Sequence, residues 1–151
     1  PHLDGYSITA SKKVLEEEDL RPFRELLRQV DHDKVFVMVS NVSFAALDEK
    51  YPACLSSAIM TDLLRNQYGY KGLIVTDDME MGAMTKYYTF RRMGVMSVKA
   101  GADIVLSCHD YGNSVELYNG MLEALRSGEL PAEMVDEKVG RIVKTKLLQM
   151  N

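Results

Sequence analysis

The sequence predicts an α/β fold with about three parallel strands and flanking helices. Three short apolar runs lie about 30 to 40 residues apart and have the character of strands buried on both faces: residues 35–39, 73–76 and 104–107. The segments between them carry apolar residues at helical spacing. Strands that alternate with helices are typical of βαβ units, which form parallel sheets with right-handed crossovers.

Five helical segments surround these strands. The first carries Phe23, Leu26 and Leu27 on one face. Asp19 is its predicted N-cap, and Pro22 lies in the first turn, where a missing N–H is tolerated. The other four helices are predicted at residues 57–69, 90–100, 113–127 and 131–146.

The last helix is predicted to be amphipathic. Val135, Val139, Ile142 and Val143 recur on one side of it, and the basic residues at 141–146 alternate with them. We therefore expect the basic cluster to form the solvent face.

Composition narrows the class of protein. A chain of 151 residues with 46% hydrophobic residues is one domain with enough apolar side chains for a core. A net charge of −4 argues against a nucleic-acid binder, and no apolar run is long enough to span a bilayer.

Cys54 and Cys108 are expected to be buried free thiols, with one disulfide as the alternative. No phosphate-binding loop or metal-ligand spacing occurs, so neither cofactor nor metal is predicted.

Polar residues follow each predicted strand, at the edge of a parallel sheet where active sites form. The second strand leads into the densest group, because Asp77, Asp78 and Glu80 lie within four residues. Adjacent carboxylates repel each other and need a compensating interaction. At this point a catalytic role and a helix-capping role for Asp77 or Asp78 are both open.

Residues 69–83, Gly-Tyr-Lys-Gly-Leu-Ile-Val-Thr-Asp-Asp-Met-Glu-Met-Gly-Ala, closely resemble the nucleophile segment of glycoside hydrolase family 3. The similarity is greatest to its β-N-acetylhexosaminidase branch. Further segments resemble the sixth strand and its loop, the entry to the last strand and the terminal helix: residues 37–56, 98–104 and 130–146. The resemblance covers nearly the whole chain.

The resemblance implies roles for two residues. Asp77 matches the catalytic nucleophile, which would act with retention through a glycosyl-aspartate intermediate. His2 matches the histidine that serves as general acid and base in this branch, although its partner aspartate would fall before Pro1. Asp78 is expected to orient its neighbour.

Three other polar residues receive weaker interpretations. His109 and Asp110 are interpreted as part of a polar loop after the third strand. Asn41 stands where relatives often carry histidine.

The resemblance also implies the architecture. The three strands would be the sixth to eighth of a (β/α)₈ TIM barrel, and residues 1–151 would be the C-terminal half of the catalytic domain. A complete barrel needs about 250 residues. We therefore expect a fragment whose parent cleaves terminal β-linked N-acetylhexosamine from a carbohydrate substrate. The isolated chain should be inactive, and its open strand edges should pair in a homo-oligomer.

Two alternatives remain at this stage. One is a non-catalytic half-barrel kept as an assembly module. The other is a receiver-like signalling domain, in which an acidic pair binds Mg²⁺. The receiver fold would need five strands with the acidic pair after the first, which does not match the order found here.

Overall fold

A computed structural model describes residues 5–150. Its strands are β1 (Ser7–Ile8), β2 (Val37–Val39), β3 (Ser43–Phe44), β4 (Ile74–Asp78) and β5 (Ile104–Leu106). The main sheet is parallel with the order β2-β4-β5, and β1 pairs with β3 in a second, two-stranded parallel sheet. The α/β class and the three parallel strands are confirmed, whereas the small β1–β3 sheet was not predicted.

Helices lie between the strands and after the last of them. They are α1 (Lys12–Val14), α2 (Arg21–Gln29), α3 (Gly82–Thr85), α4 (Phe90–Ala100), α5 (Tyr111–Ser127) and α6 (Ala132–Gln149), with π-helical segments at Leu15–Asp19 and Ala58–Gln67. All five predicted helical regions are helical. The predicted N-cap Asp19 is wrong, because Leu20 precedes α2 and its N–H bonds to Leu15 O at 2.7 Å, which makes Asp19 part of the preceding helical turn.

The register of the sheet places the two aspartates. Strand β4 extends through Asp78, so both aspartates lie inside the strand and not after it. Val75 pairs with Ile104 and Asp78 pairs with Leu106, with a bulge in β4 between these pairs. A bulge bends its strand and re-aims the side chains next to it. The end of β4 therefore presents Asp77 and Asp78 at the C-terminal edge of the sheet.

The core lies between the sheet and the helices. Ile74 of β4 and Met60 of the π-helical segment are fully buried, and Tyr70 is nearly so. Burying each such side chain stabilises the fold by about 1.5–3 kcal/mol. The Tyr70 hydroxyl donates to the carbonyl oxygens of Val35 and Leu73, which fixes the entry to β2 and β4.

A buried ion cluster lies at the opposite, N-terminal edge of the sheet. The Asp103 carboxylate accepts hydrogen bonds from Arg65 Nη2 at 2.6 Å, Arg141 Nε at 2.8 Å and Ile74 N at 2.8 Å. Lys138 of α6 also lies in this cluster. Burial lowers the pKa of Lys138 to about 8, against the raising effect of the Asp103 charge.

This cluster overturns part of the predicted orientation of α6, although Val135 packs against the core and Lys144 and Lys146 are exposed as expected. Lys138 is only 7% exposed, whereas Val139 and Val143 are 49% and 48% exposed. The interpretation of the basic residues as a solvent face is therefore wrong for Arg141, which bonds to Asp103. The physical reason is that a buried carboxylate needs cationic partners, and meeting that need decides which side of the helix turns inward.

Two further expectations can be compared with the described residues. Cys54 and Cys108 are both free thiols, but only Cys54 is buried, so the expected burial of Cys108 is wrong. No helix between residues 5 and 150 is both long and apolar enough to cross a membrane. In the same part of the chain β2 and β5 each pair on one side only, and Met38 of β2 is exposed.

Candidate active site

The end of β4 is held in place from β5. Thr76 is fully buried, and its Oγ1 accepts a hydrogen bond from Leu106 N at 3.0 Å. Beyond the bulge, Met79 N donates to Leu106 O at 3.0 Å. These bonds fix the backbone on both sides of the aspartate pair, so the two carboxylates project from a rigid segment.

Asp77 is half-buried and has few partners. Its Oδ1 accepts a hydrogen bond from Asp78 N at 2.8 Å, and no residue between 5 and 150 donates to its Oδ2. Burial, together with the negative charge of Asp77, raises the pKa of the Cys54 thiol to about 12, so this cysteine stays protonated. One carboxylate oxygen of Asp77 is therefore held by the backbone, and the other has no hydrogen-bond donor among residues 5–150.

Asp78 differs from Asp77, because both of its carboxylate oxygens have partners. Its Oδ1 accepts from Glu80 N at 3.1 Å and Cys108 N at 3.3 Å, and its Oδ2 lies 3.6 Å from His109 Nε2. The capping interpretation is wrong for both aspartates, since the N-cap of α3 is Met81 and makes no side-chain bond. Asp78 ties the end of β4 to the loop after β5.

Asn41 supports the pair from the end of β2. Its side chain is 3% exposed, and its Nδ2 donates to Asp78 O at 2.8 Å and to Met81 Sδ at 3.3 Å. Its Oδ1 is buried without a hydrogen-bond partner in the described part of the chain. Leaving such an acceptor unsatisfied costs about 1–3 kcal/mol. Asn41 thus combines an amide nitrogen that donates two hydrogen bonds with an amide oxygen that accepts none in the described residues.

Glu80 organises the loop after β5, a role that sequence reasoning missed. It accepts hydrogen bonds from Ser107 Oγ at 2.7 Å, Asp110 N at 3.0 Å and Asn113 Nδ2 at 3.2 Å. Burial raises the pKa of Glu80, but the hydrogen bonds outweigh it and the net pKa is lowered. The only sequence signal was its place in the acidic group after the second strand.

The remaining predicted residues have different outcomes. His109 lies beside Asp78 with its side chain 77% exposed, so it belongs to the site's rim. Asp110 is the N-cap of α5, and its side chain accepts from Gly112 N. His2 falls outside the described residues, and its role stays a prediction.

Comparisons with known proteins agree on one family. Residues 1–145 match the family described as glycosyl hydrolase family 3 N terminal domain. An uncharacterized secreted glycosyl hydrolase of Arthroderma benhamiae is 37% identical over 123 residues, which are 80% of this chain and 34% of that protein. A β-hexosaminidase of Nitrosomonas eutropha is 34% identical over 107 residues, 71% of this chain and 30% of that protein.

Structural similarity gives the same answer. A glycoside hydrolase family 3 β-N-acetylglucosaminidase from Paenibacillus sp. FPU-7 superposes with a TM-score of 0.91 and 35% identity. The match covers 97% of this chain and 27% of that one. The chain thus spans about a third of the length of the relatives it matches. On this sequence and structural evidence, the chain belongs to glycosyl hydrolase family 3 and resembles its β-hexosaminidase members.

Proposed function

We propose that this chain supplies the nucleophile of a retaining β-N-acetylhexosaminidase, and that Asp77 is that nucleophile. One observation carries the proposal: Asp77 is the last residue but one of the buried parallel strand β4, with Oδ1 held by Asp78 N and with Oδ2 free of partners among residues 5–150. Relatives named β-hexosaminidase support the substrate class, a terminal β-linked N-acetylhexosamine.

The reaction would follow a double displacement. In the first step an Asp77 oxygen bonds to the anomeric carbon while the bond to the leaving oxygen breaks and that oxygen takes a proton. In the second step water attacks the same carbon, the ester to Asp77 breaks, and the water's proton passes to a base. Two inversions at one carbon give retention.

The surroundings of Asp77 fit this task. No lysine or arginine between residues 5 and 150 forms an ion pair with it, so its negative charge is not neutralised by a neighbouring side chain. Such a carboxylate stabilises the positive charge that develops at the anomeric carbon before the bond forms. Asp78 and Asn41 act as positioning residues, because each holds the backbone that carries Asp77.

The general acid and base is assigned to His2 in the parent enzyme. An imidazole has an ordinary pKa of about 6.5, so it can donate and recover a proton near neutral pH. The support for this assignment is the match of His2 to the family's histidine, upstream of the first helix.

We also propose that the chain is the C-terminal part of a larger barrel. By itself the chain would be inactive. Its short span relative to its relatives supports this, as do the strand edges that β2 and β5 leave unpaired in the described residues. Those edges also support the assembly-module alternative, in which a second copy covers them. Membership in a glycosidase family leaves the receiver-like alternative without support.

The experiment replaces Asp77 in the parent enzyme and measures hydrolysis of an aryl N-acetyl-β-glucosaminide. Asp77→Ala should retain less than a few per cent of wild-type activity with an unchanged circular dichroism spectrum. Added azide should restore product formation as the glycosyl azide, since the small anion replaces the missing carboxylate. Asp62→Asn, on the exposed side of the π-helical segment, is the matched control and should keep full activity. Substantial activity in Asp77→Ala without azide would refute the assignment.

A further inference from the structure

Three potential metal ligands converge beside the aspartate pair. Asp78 ends β4, Glu80 follows it in the next turn, and His109 comes from the loop after β5. One ligand atom from each lies within 4.8 Å of the other two, and His109 Nε2 is 3.6 Å from Asp78 Oδ2. Because His109 lies about 30 residues after Asp78 and Glu80, no motif spacing in the sequence revealed the group.

The charge at this place favours a cation. Asp77, Asp78 and Glu80 bring three carboxyl groups together, and no lysine or arginine between residues 5 and 150 pairs with any of them. His109 is the one basic side chain of the described residues that contacts the group. Neighbouring carboxylates repel each other, so a cation bound between them is electrostatically favourable.

Hydrogen bonds already orient two of the three ligands. Asp78 Oδ1 accepts from the N–H groups of Glu80 and Cys108, which leaves Oδ2 directed at His109. Glu80 is held by Ser107 and Asn113. Such outer hydrogen bonds fix ligand orientation in metal sites. The exposed His109 is free to swing inward and shorten the remaining separations.

We propose that Asp78, Glu80 and His109 form a binding site for one divalent cation of the zinc class. One imidazole and two carboxylates suit Zn²⁺, whereas Mg²⁺ and Ca²⁺ prefer oxygen ligands alone. Zinc is commonly held by three protein ligands with the fourth position open, at about 2.0–2.2 Å from nitrogen and oxygen. The separations here require the three side chains to close in by about 1–2 Å.

The consequence concerns the neighbouring nucleophile. A cation bound to Asp78 lies next to Asp77, opposes the charge that the attacking carboxylate needs, and occupies space at the sheet edge. This consequence rests on the proposed function: if Asp77 is the nucleophile, a cation held by Asp78 would oppose its reaction. Binding can be measured without turnover, so failure of the metal site and failure of the proposed function are distinguishable.

The test is equilibrium dialysis of the 151-residue chain against Zn²⁺, with metal quantification, and absorption spectroscopy with Co²⁺ as a second probe. One equivalent of Zn²⁺ should bind, and the Co²⁺ spectrum should show a low-symmetry site. His109→Ala and Glu80→Gln should each weaken binding about tenfold or more, since loss of outer-shell partners alone costs 10–100-fold. His109→Ala is the decisive variant, because an exposed side chain can be removed without unfolding.

Controls separate this ligand set from others. His32→Gln and Asp62→Asn remove a histidine and a carboxylate elsewhere in the fold and should leave affinity unchanged. Four results would overturn the proposal: no bound Zn²⁺, unchanged affinity in His109→Ala, preference for Mg²⁺ over Zn²⁺, or loss of binding in Cys108→Ser with Asp78→Asn unaffected.

Discussion

Asn41 Nδ2 donates a 2.8 Å hydrogen bond to the backbone carbonyl of Asp78, the residue after the proposed nucleophile, and so joins the ends of two neighbouring strands. The bond crosses 37 residues of sequence. It holds the peptide that carries Asp78, whose N–H in turn orients Asp77.

Removing this support should slow catalysis more than it weakens substrate binding. In the parent enzyme, Asn41→Ala is expected to lower kcat about tenfold, with KM changed less than threefold, because a misplaced carboxylate loses alignment in the transition state. Steady-state kinetics on an aryl N-acetyl-β-glucosaminide measure both. The exposed Asn66→Ala is the matched control. A rise in KM at constant kcat would instead indicate a substrate contact.

Lys138 should make the stability of the chain depend on alkaline pH. Its pKa is lowered to about 8 in the folded state, mainly by burial, from an unfolded value of 10.5. Between these values the unfolded state binds more protons, so the free energy of unfolding should rise as pH increases from 8 to 10. The expected rise is roughly 1–3 kcal/mol. Urea denaturation at several pH values measures it.

A variant without the Lys138 amine separates this rise in the free energy of unfolding from the effect of other titrating groups. Lys138→Met keeps the long apolar side chain without the charge, and it should be more stable than wild type at pH 7 and lose the alkaline increase. Equal pH profiles for the two chains would show that Lys138 is not the source.

The loss of rate on removing the His2 imidazole should depend on the leaving group of the substrate. In the parent enzyme, His2→Ala is expected to slow alkyl glycosides or disaccharides far more than activated aryl glycosides, because only the poor leaving groups need a proton. The ratio of kcat/KM for the two substrate types measures this. Equal losses for both would argue against an acid role for His2.

The isolated chain should associate and hydrolyse no glycoside. β2 and β5 present one unpaired edge each in the described structure, and Met38 and Phe36 are exposed beside the β2 edge. Light scattering with size-exclusion chromatography should give at least twice the mass of the 17.0 kDa chain. A stable monomer that turns over an N-acetylglucosaminide would contradict both parts of this prediction.

Sequence and structure agree where local signals are strong. The apolar runs before Asn41, Asp77 and Cys108 predicted three parallel strands, because strands buried on both faces are visible as continuous apolar residues. The motif around Asp77 placed the proposed nucleophile at a strand end. Boundaries shifted by one or two residues, since the β4 bulge depends on pairing with β5 and not on sequence alone.

The features that the sequence did not predict depend on contacts between residues far apart in the chain. The inward turn of Lys138 and Arg141 depends on the buried Asp103, about 40 residues earlier in the chain, and periodicity within α6 cannot show it. The network around Glu80 depends likewise on a loop that lies about 30 residues further on. The pairing of β1 with β3 rests on two-residue strands, too short for any sequence pattern.

The most direct test of the central claim is to trap the covalent intermediate in the parent enzyme. A fluorinated N-acetylglucosaminyl fluoride forms the glycosyl ester but slows its hydrolysis, and mass spectrometry of a proteolytic digest then locates the sugar. One added sugar is expected on the peptide that contains residues 72–86, attached at Asp77, and none in Asp77→Ala. A label on Asp78 or Glu80, or no label despite complete inactivation of turnover, would contradict it.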